Sequence, residues 1–455
     1  MQTHFLNETS VRTSVNYGIN NIKVEFDLPD ENTKRNFENF SIETEELDKI
    51  KVQISGVNGN ENEANNLKEK NVEEGNFQIK PIKENNNTNK LIKKENSVSK
   101  NESNINAEDN KLKSKIGLTF EKYKKIEISI PDNAEIKNEI LLDFLFDEDN
   151  NYLVDNVKIN IGKNSKANFI LHYYSEEQES NINQAISNEI NDTNTNAEKS
   201  RKNIETKNNI INSKIINEND DEEKIEAENQ IQNFHNLLLE TNLEENAECK
   251  ITLANMLDEN ANSFLAYENR LNENAKLTNV IVDLGGRNKI SNYNTKLLGD
   301  CSYNEVKNIY LGAKNDTIDI NYNIEAIGKS TKCNIESQGA LKDSAKKNFK
   351  GIIDFKEGST KSVGKENENC LILSEKARSR SLPVLLCHEE DVNGEHGISS
   401  GKPDKNKMFY MASKGISEAD AKKLLVKANF NNILDAITNE NLKSEINKRV
   451  DELVD

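Results

Sequence analysis

Nothing in this sequence approaches the roughly 20 consecutive apolar residues that a membrane-spanning helix needs. Its longest apolar stretches, "ILLDFLF" and "LPVLLC", are strand-sized. A helical membrane protein is therefore not expected, and "MQTHFLNETSVRT" at the N-terminus lacks the apolar core of a secretory signal. Cysteine is scarce: Cys249, Cys301, Cys333, Cys370 and Cys387 are scattered, odd in number and form no CxxC pair. Neither a disulfide framework nor a zinc module is expected, and a reducing, cytoplasmic setting is the simpler expectation. Positive charge is also short. The 60 Lys and Arg face 78 Asp and Glu, for a net charge of -18, which argues against nucleic acid or an anionic membrane as the main partner. A Walker loop, an HExxH motif, a nucleophile elbow and a dinucleotide fingerprint are all missing. "LGGRNK" at 284–289 has too few glycines to cradle a phosphate. No self-contained enzyme is visible.

Apolar residues make up only 34% of the chain and charged residues 30%. Part of it cannot bury enough apolar surface to offset ordering entropy. Residues 58–113 and 177–229 are the expected disordered inserts, rich in Asn, Lys and Glu without apolar pattern.

Elsewhere the pattern is period-two alternation, the mark of strands with one buried face. Val157, Ile159 and Ile161 alternate with polar neighbours, as do Ala167, Phe169, Leu171 and Tyr173. So do Cys249, Ile251 and Leu253; Val280, Val282 and Leu284; Ile318, Ile320, Tyr322 and Ile324; and Phe349, Gly351, Ile353 and Phe355. Turn phrases such as "EENAECKI", "NENAKLTNV" and "GDCSYNEV" carry small residues at Ala247, Ala275, Cys301, Thr331, Ala345 and Thr360, at spacings near multiples of about 14. Stacked rungs with tight corners would produce this, so 114–176 joined to 230–400 is expected to be a β-solenoid. An antiparallel sandwich is the alternative that alternation leaves open. Beyond residue 400 the pattern turns helical. Ser417 with Asp420 resembles a capping box; Ala421, Leu424, Leu425 and Ala428 predict one helical face; Ile433, Leu434 and Ile437 suggest a second short helix; and Leu442, Ile446 and Val450 form a third stripe. Such a tail either caps the solenoid end or docks a partner.

Cys249 and Cys333 share strand faces with apolar residues and read as core, and Cys301 reads as a corner packing residue. Cys370 and Cys387 lie at strand boundaries. "HEEDVNGEHGISSG" at 388–401 reads as an acidic loop holding two of the chain's five histidines, His388 and His396. With Glu389, Glu390, Asp391, Glu395 and the adjacent Cys387 it offers transition-metal ligand types. A solvated acidic surface would look the same.

"LPVLLCHEEDVNGEHGISSGKPDKNKMFYMASKGISEADAKKLLVKANF" (382–430) closely resembles the C-terminal signature of the SufB/SufD family of SUF iron–sulfur cluster assembly proteins. "LGGRNKISNYNTKLLGD" (284–300), "IGKSTKCNIESQGALKDSAKKNFKGIIDFKEGSTKSVG" (327–364) and "LILSEKARSRS" (371–381) resemble further family phrases. The resemblance implies a mainly β fold, a right-handed parallel β-helix with flanking helical segments and a C-terminal helical subdomain. It implies a scaffold without its own turnover, paired with a SufB-like subunit or a second copy of itself and docked to a SufC-like ABC ATPase. The family's SufD histidine falls on His396 and the neighbouring acid of the SufB form on Glu395. ATPase docking falls between Phe409 and Phe430, with Tyr410, Leu424 and Leu425 among its residues. The SufB sulfur-accepting cysteine falls on Glu368, two residues before Cys370, which favours a SufD-like role.

The expected organisation is an N-terminal segment (1–57), an insert (58–113), the first part of the β-helix (114–176), a second insert (177–229), the β-helix core (230–400) and a helical SufC-docking region (401–455). His396, Glu395, Cys387, His388 and Cys370 are the candidates for a cluster-assembly site. Iron or an Fe–S cluster would pass there at the subunit interface, with none held stably by this chain alone. The rival expectations are a SufB-type scaffold that accepts persulfide sulfur itself and a stand-alone β-solenoid binding or structural protein.

Overall fold

The computed structural model describes residues 2–6, 22–26, 40–46, 49–55, 124–148, 150–175 and 233–455. Both expected inserts lie outside the described residues. A small antiparallel ladder joins β1 (Gln2–Leu6) to β2 (Ile22–Phe26).

The remaining strands form two nine-stranded sheets. One contains β4 (Lys51–Ser55), β5 (Lys124–Ile130), β7 (Tyr152–Ile161), β9 (Phe234–Leu243), β11 (Asn262–Leu271), β13 (Asn288–Leu297), β15 (Thr317–Ala326), β17 (Lys346–Phe355) and β19 (Arg378–Cys387). The other contains β3 (Phe40–Glu43), β6 (Ile140–Phe146), β8 (Lys166–Ser175), β10 (Glu248–Met256), β12 (Lys276–Asp283), β14 (Tyr303–Gly312), β16 (Lys332–Leu341), β18 (Ser362–Ile372) and β20 (Val392–Gly401). From β5 onward the chain alternates between the sheets, laying one strand in each per turn. This is a parallel β-solenoid of about 8 turns. β3 and β4 come from the expected N-terminal segment and pair antiparallel with β6 and β5, closing one end. At the other end β19 and β20 pair only with β17 and β18 among the described strands.

The alternation works as expected in most strands. Val157, Ile159, Ile161, Phe169, Tyr173, Ile251, Leu253, Ile320, Tyr322, Phe349 and Phe355 all enter one buried core between the sheets. β12 departs from it. Val280, Val282 and Leu284 belong to a second core on the outside of the sheet, while Leu277 and Ile281 face the lumen. Both faces of that strand are covered, so both carry apolar residues and the alternation does not identify the inner one.

The corners explain most of the small residues; Thr360, half-buried and ahead of the left-handed Lys361, is not the one its corner buries. Asn164, Asn246, Asn274, Cys301, Ser330 and Lys361 each adopt a left-handed backbone conformation, where Asn is the best tolerated non-glycine residue. Each is followed by a small buried residue: Ser165, Ala247, Ala275, Ser302, Thr331 and Ser362. Cys301 is therefore not the packing residue of its corner. It takes the left-handed position, is exposed, and Ser302 fills the buried slot.

Three helices complete the described chain: α1 (Lys405–Ser413), α2 (Glu418–Leu434) and α3 (Glu440–Val454). Ser417 caps α2 by accepting the Asp420 N–H, as its sequence predicts. The buried face of α2 is Ala421, Val426, Phe430, Ile433 and Leu434. The expected stripe is displaced: Leu424 and Ala428 are exposed, Leu425 is half-buried, and Ile433 and Leu434 continue the same helix. The bulkier Val426 and Phe430 fill the sheet's apolar outer face, packing with Val280, Val282, Ile309 and Leu311 in one core. α3 buries Leu442, Ile446, Val450 and Val454, along the stripe expected for it. The helices flank the solenoid's side rather than capping its end. Arg449 donates to the Leu257 carbonyl at 3.1 Å, and Asn369 donates to Asn429 at 2.9 Å. Among the described residues, no helix is long and apolar enough to cross a membrane.

Candidate functional site at the open end of the solenoid

Residues 388–401 are not one loop. Only 388–391 turn; Val392–Gly401 is β20, in parallel register with β18. Its Gly, Ser and His residues have little intrinsic strand preference, and the ladder to β18 overrides that.

The acidic turn is a solenoid corner. The Glu389 carboxylate accepts backbone N–H groups from Gly358 at 3.1 Å, Glu390 at 3.0 Å and Asp391 at 3.4 Å. Those donors, Gly358 first, hold its carboxyl below the usual range. The Lys361 N–H donates to the Asp391 carbonyl. His388 places Nε2 3.6 Å from Asp354 Oδ1. Glu389 thus stabilises a turn.

The other expected site residues separate by strand geometry. Adjacent residues of a strand face opposite ways. Glu395 points outward and pairs with Lys365 at 3.1 Å. His396, the register partner of Glu366, shares the lumen-side face. Gly394 shares that face too, since a Cβ there would meet Leu385 and Phe355. Cys387 is exposed at the end of β19 and pairs in register with Phe355. It lies about four residues, roughly 13 Å, along the strands from His396. His396, Glu395, Cys387 and His388 therefore do not converge. Among the described residues, no group of three or more His, Cys, Asp or Glu is placed to hold a metal ion.

Below His396 lies a constellation of which the sequence points to Cys370 and the position of Glu368 but not to Glu366. Glu366, Glu368 and Cys370 alternate along β18 and point inward. Glu368 is fully buried and ion-paired with the fully buried Lys347, whose amine also donates to Ser381 at 2.9 Å. Tyr310 donates its hydroxyl to Glu368 at 2.8 Å. It reaches that level because Gly339 leaves its place empty: a Cβ there would lie 1.9 Å from the Tyr310 ring. Cys370 is completely buried, and burial pushes its thiol up although Lys347, Tyr310 and Ser379 pull the other way. Glu366 is completely buried with neither carboxylate oxygen hydrogen-bonded. Desolvation first, then the neighbouring Glu368, raises its carboxyl to about 8. Cys249 and Cys333 are core residues as expected, with Cys333 raised to about 12 by burial.

The expected docking residues also sort themselves. Phe409 and Tyr410 on α1 are 77% and 62% exposed, and Leu424 is 48% exposed. Phe430 is fully buried under α2 and so has no free surface to offer.

Residues 198–429, just over half of the chain, match the family described as "SUF system FeS cluster assembly, SufBD core domain". The chain is similar to the iron–sulfur cluster assembly protein SufD of Bacillus subtilis (strain 168), 31% identical over 157 residues, which is 34% of this chain and 36% of that protein. The SufD of Escherichia coli (strain K12) is 26% identical over 169 residues, 37% of this chain and 40% of that protein. A SufBD family protein of Pyrococcus horikoshii is 27% identical over 195 residues, 43% of each chain. The aligned stretches thus span well under half of these relatives' own length.

Proposed function

The chain belongs to the SufB/SufD family of SUF-system iron–sulfur cluster assembly proteins, and from that premise we propose that it is a SufD-like scaffold subunit without turnover of its own. It pairs through β19 and β20 with a SufB-like subunit and engages an ABC-type ATPase through α1 and the exposed edge of α2. Iron or a nascent cluster is cargo passing the paired ends, with His396 facing it.

The observation that carries this reading is the open end. Two ten-residue strands, β19 and β20, each leave one edge free of any described partner. Such edges are templates for another chain, and a stand-alone solenoid would blunt them. The exposed Phe409, Tyr410 and Leu424 supply the second surface, since large apolar side chains this open mark contact sites. The SufD-like assignment is supported by Cys370. A thiol buried and pushed up stays protonated, and a protonated thiol is a poor sulfur acceptor.

Affinity capture of the tagged full chain from its own cells, with mass spectrometry of what is retained, tests the proposal. A SufB-like chain and an ABC-type ATPase are expected. Phe409→Ala with Tyr410→Ala should release the ATPase and keep the SufB-like chain. Recovery of the ATPase with this chain alone would replace the heterodimer by a homodimer. Recovery of neither would sink the reading.

A further inference from the structure

The outer face that α2 and α3 cover is apolar, and one histidine intrudes on it. His172 stands on β8 beside Ile170, two residues earlier, and Ala254, its register partner; both are buried in that outer core. His172 is itself only 8% exposed. Its ring stacks on Tyr174 with centroids 4.5 Å apart and an interplanar angle of 16°. Its Nδ1 lies 3.0 Å from Asp143 Oδ1 on β6. Its Nε2 lies 3.6 Å from Glu445 Oε2 on α3.

The two ring nitrogens meet different fates. A carboxylate offers only acceptors, so Nδ1 donates to Asp143. In a neutral ring that contact holds the proton on Nδ1 and leaves a lone pair on Nε2. Nε2 is buried and has no hydrogen-bond partner among the described residues. The group it faces is a second acceptor, the Glu445 carboxylate. Two acceptors opposed across 3.6 Å repel. A proton on Nε2 turns the same contact into a charge-assisted attraction. The titratable groups that reach the stacked rings are Asp143 on β6, Glu445 on α3, Glu43 on β3 and Tyr174 itself, all of them acids. Burial first, then those three carboxylates, raises the Tyr174 hydroxyl, and the same negative surroundings favour a positive imidazole.

We propose that His172 is a proton-dependent latch that fastens α3 to the solenoid, tight when the imidazole is charged and loosened when it is neutral. Histidine changes charge within about pH 5 to 8. Docking of α3 and protonation of the ring favour each other, so the fastening is complete at the acid end of that range and fades as pH rises. The buried stripe of Leu442, Ile446, Val450 and Val454 holds the helix throughout. The latch sets how readily the half of α3 that carries Glu445 opens. It needs neither partner nor cargo, and so stands apart from the assembly role.

Hydrogen–deuterium exchange of the full chain, read by mass spectrometry on peptides from α3 at pH 5.5 and pH 8, tests the latch against Glu445→Gln. The Glu445 side chain is about half exposed, so this variant should fold. Comparing two chains at one pH cancels the intrinsic exchange rate and the contribution of Glu366, which both carry. At pH 5.5 α3 of the wild type should exchange about three-fold or more slowly than that of the variant, a hydrogen bond to a charged group discounted for solvent. At pH 8 the two should match, or the variant should be the slower. Glu440→Gln, on the same helix but paired with Lys443, should leave the pH dependence of α3 in place. His172→Phe keeps a ring on Tyr174 and suits its apolar neighbours; in that background Glu445→Gln should have no pH-dependent effect. A ratio of wild type to Glu445→Gln that stays constant between the two pH values would overturn the latch. So would the same pH-dependent ratio in the His172→Phe background.

Discussion

Tyr310 passes over Gly339 to donate its phenolic hydrogen to Glu368 across 2.8 Å, and Lys347 closes on the same carboxylate oxygen. Lys347 and Glu368 are both fully buried. Removing one partner of such a pair leaves an uncompensated charge in a dry interior. Lys347→Met is expected to lower stability by about 3–5 kcal/mol. Adding Glu368→Met should restore much of the loss. Urea unfolding of the two variants checks this, and a double variant no better than the single would contradict it.

Glu366 makes stability depend on pH in a defined direction. Its carboxyl is raised to about 8 in the folded chain from 4.5. Below the unfolded value both states hold the proton. Between the two values only the folded state holds it, so deprotonation favours unfolding and stability falls as pH rises, at up to about 1.4 kcal/mol per pH unit. Glu366→Gln should flatten that contribution, so the variant gains on the wild type from about pH 5 to pH 8. Melting temperatures measured across that range would show the gap opening; a constant gap would contradict it.

The corners predict two opposite outcomes. Ala275 is fully buried beside Asn274, which has φ 56°, and Ala275→Leu should lose about 1–3 kcal/mol by overpacking. Lys361 is exposed with φ 60°. Lys361→Gly removes the side chain that disfavours that backbone and should raise stability by about 1 kcal/mol. Thermal unfolding of the pair decides, and a stabilised Leu variant would contradict the corner geometry.

Two residues of α2 should respond very differently. Phe430 is fully buried against the sheet, and Phe430→Ala should lose about 3–5 kcal/mol. Leu424 is 48% exposed, and Leu424→Ala should stay within about 0.5 kcal/mol. The same Leu424 variant should weaken ATPase capture if that edge of α2 is the docking surface. Equal destabilisation of both variants would show that the helix packs otherwise.

The period-two strands and the spacing near 14 were enough to read a solenoid, because each half-turn repeats one strand and one corner. Phase was harder. At one corner two small residues follow one another, so Cys301 and Ser302 cannot be told apart by size. In β12 the helices cover the outer face, so Val280 and Val282 are as apolar as Leu277 and Ile281. α2 misled in the same way: Leu424 and Ala428 fit a helical face as well as Val426 and Phe430 do, and only the shape of the sheet chooses. The site was the least legible part. In "GKENENC" both alternating sets are polar, so nothing in the sequence separates the buried Glu366 and Glu368 from Lys365, Asn367 and Asn369. The opposite facing of Glu395 and His396 follows from parity once β20 is known to be a strand. Its small polar composition hides that.

The unlike ends of the solenoid decide what kind of assembly it can join. A closing strand of four residues and one of five, both antiparallel, finish one end, while two strands of ten residues finish the other. Head-to-tail stacking would leave about half of each long edge without a ladder. Association through the open ends meets like with like and is complete at two chains. The geometry therefore favours a closed pair over a growing filament, although long free strand edges are what fibrils are built from.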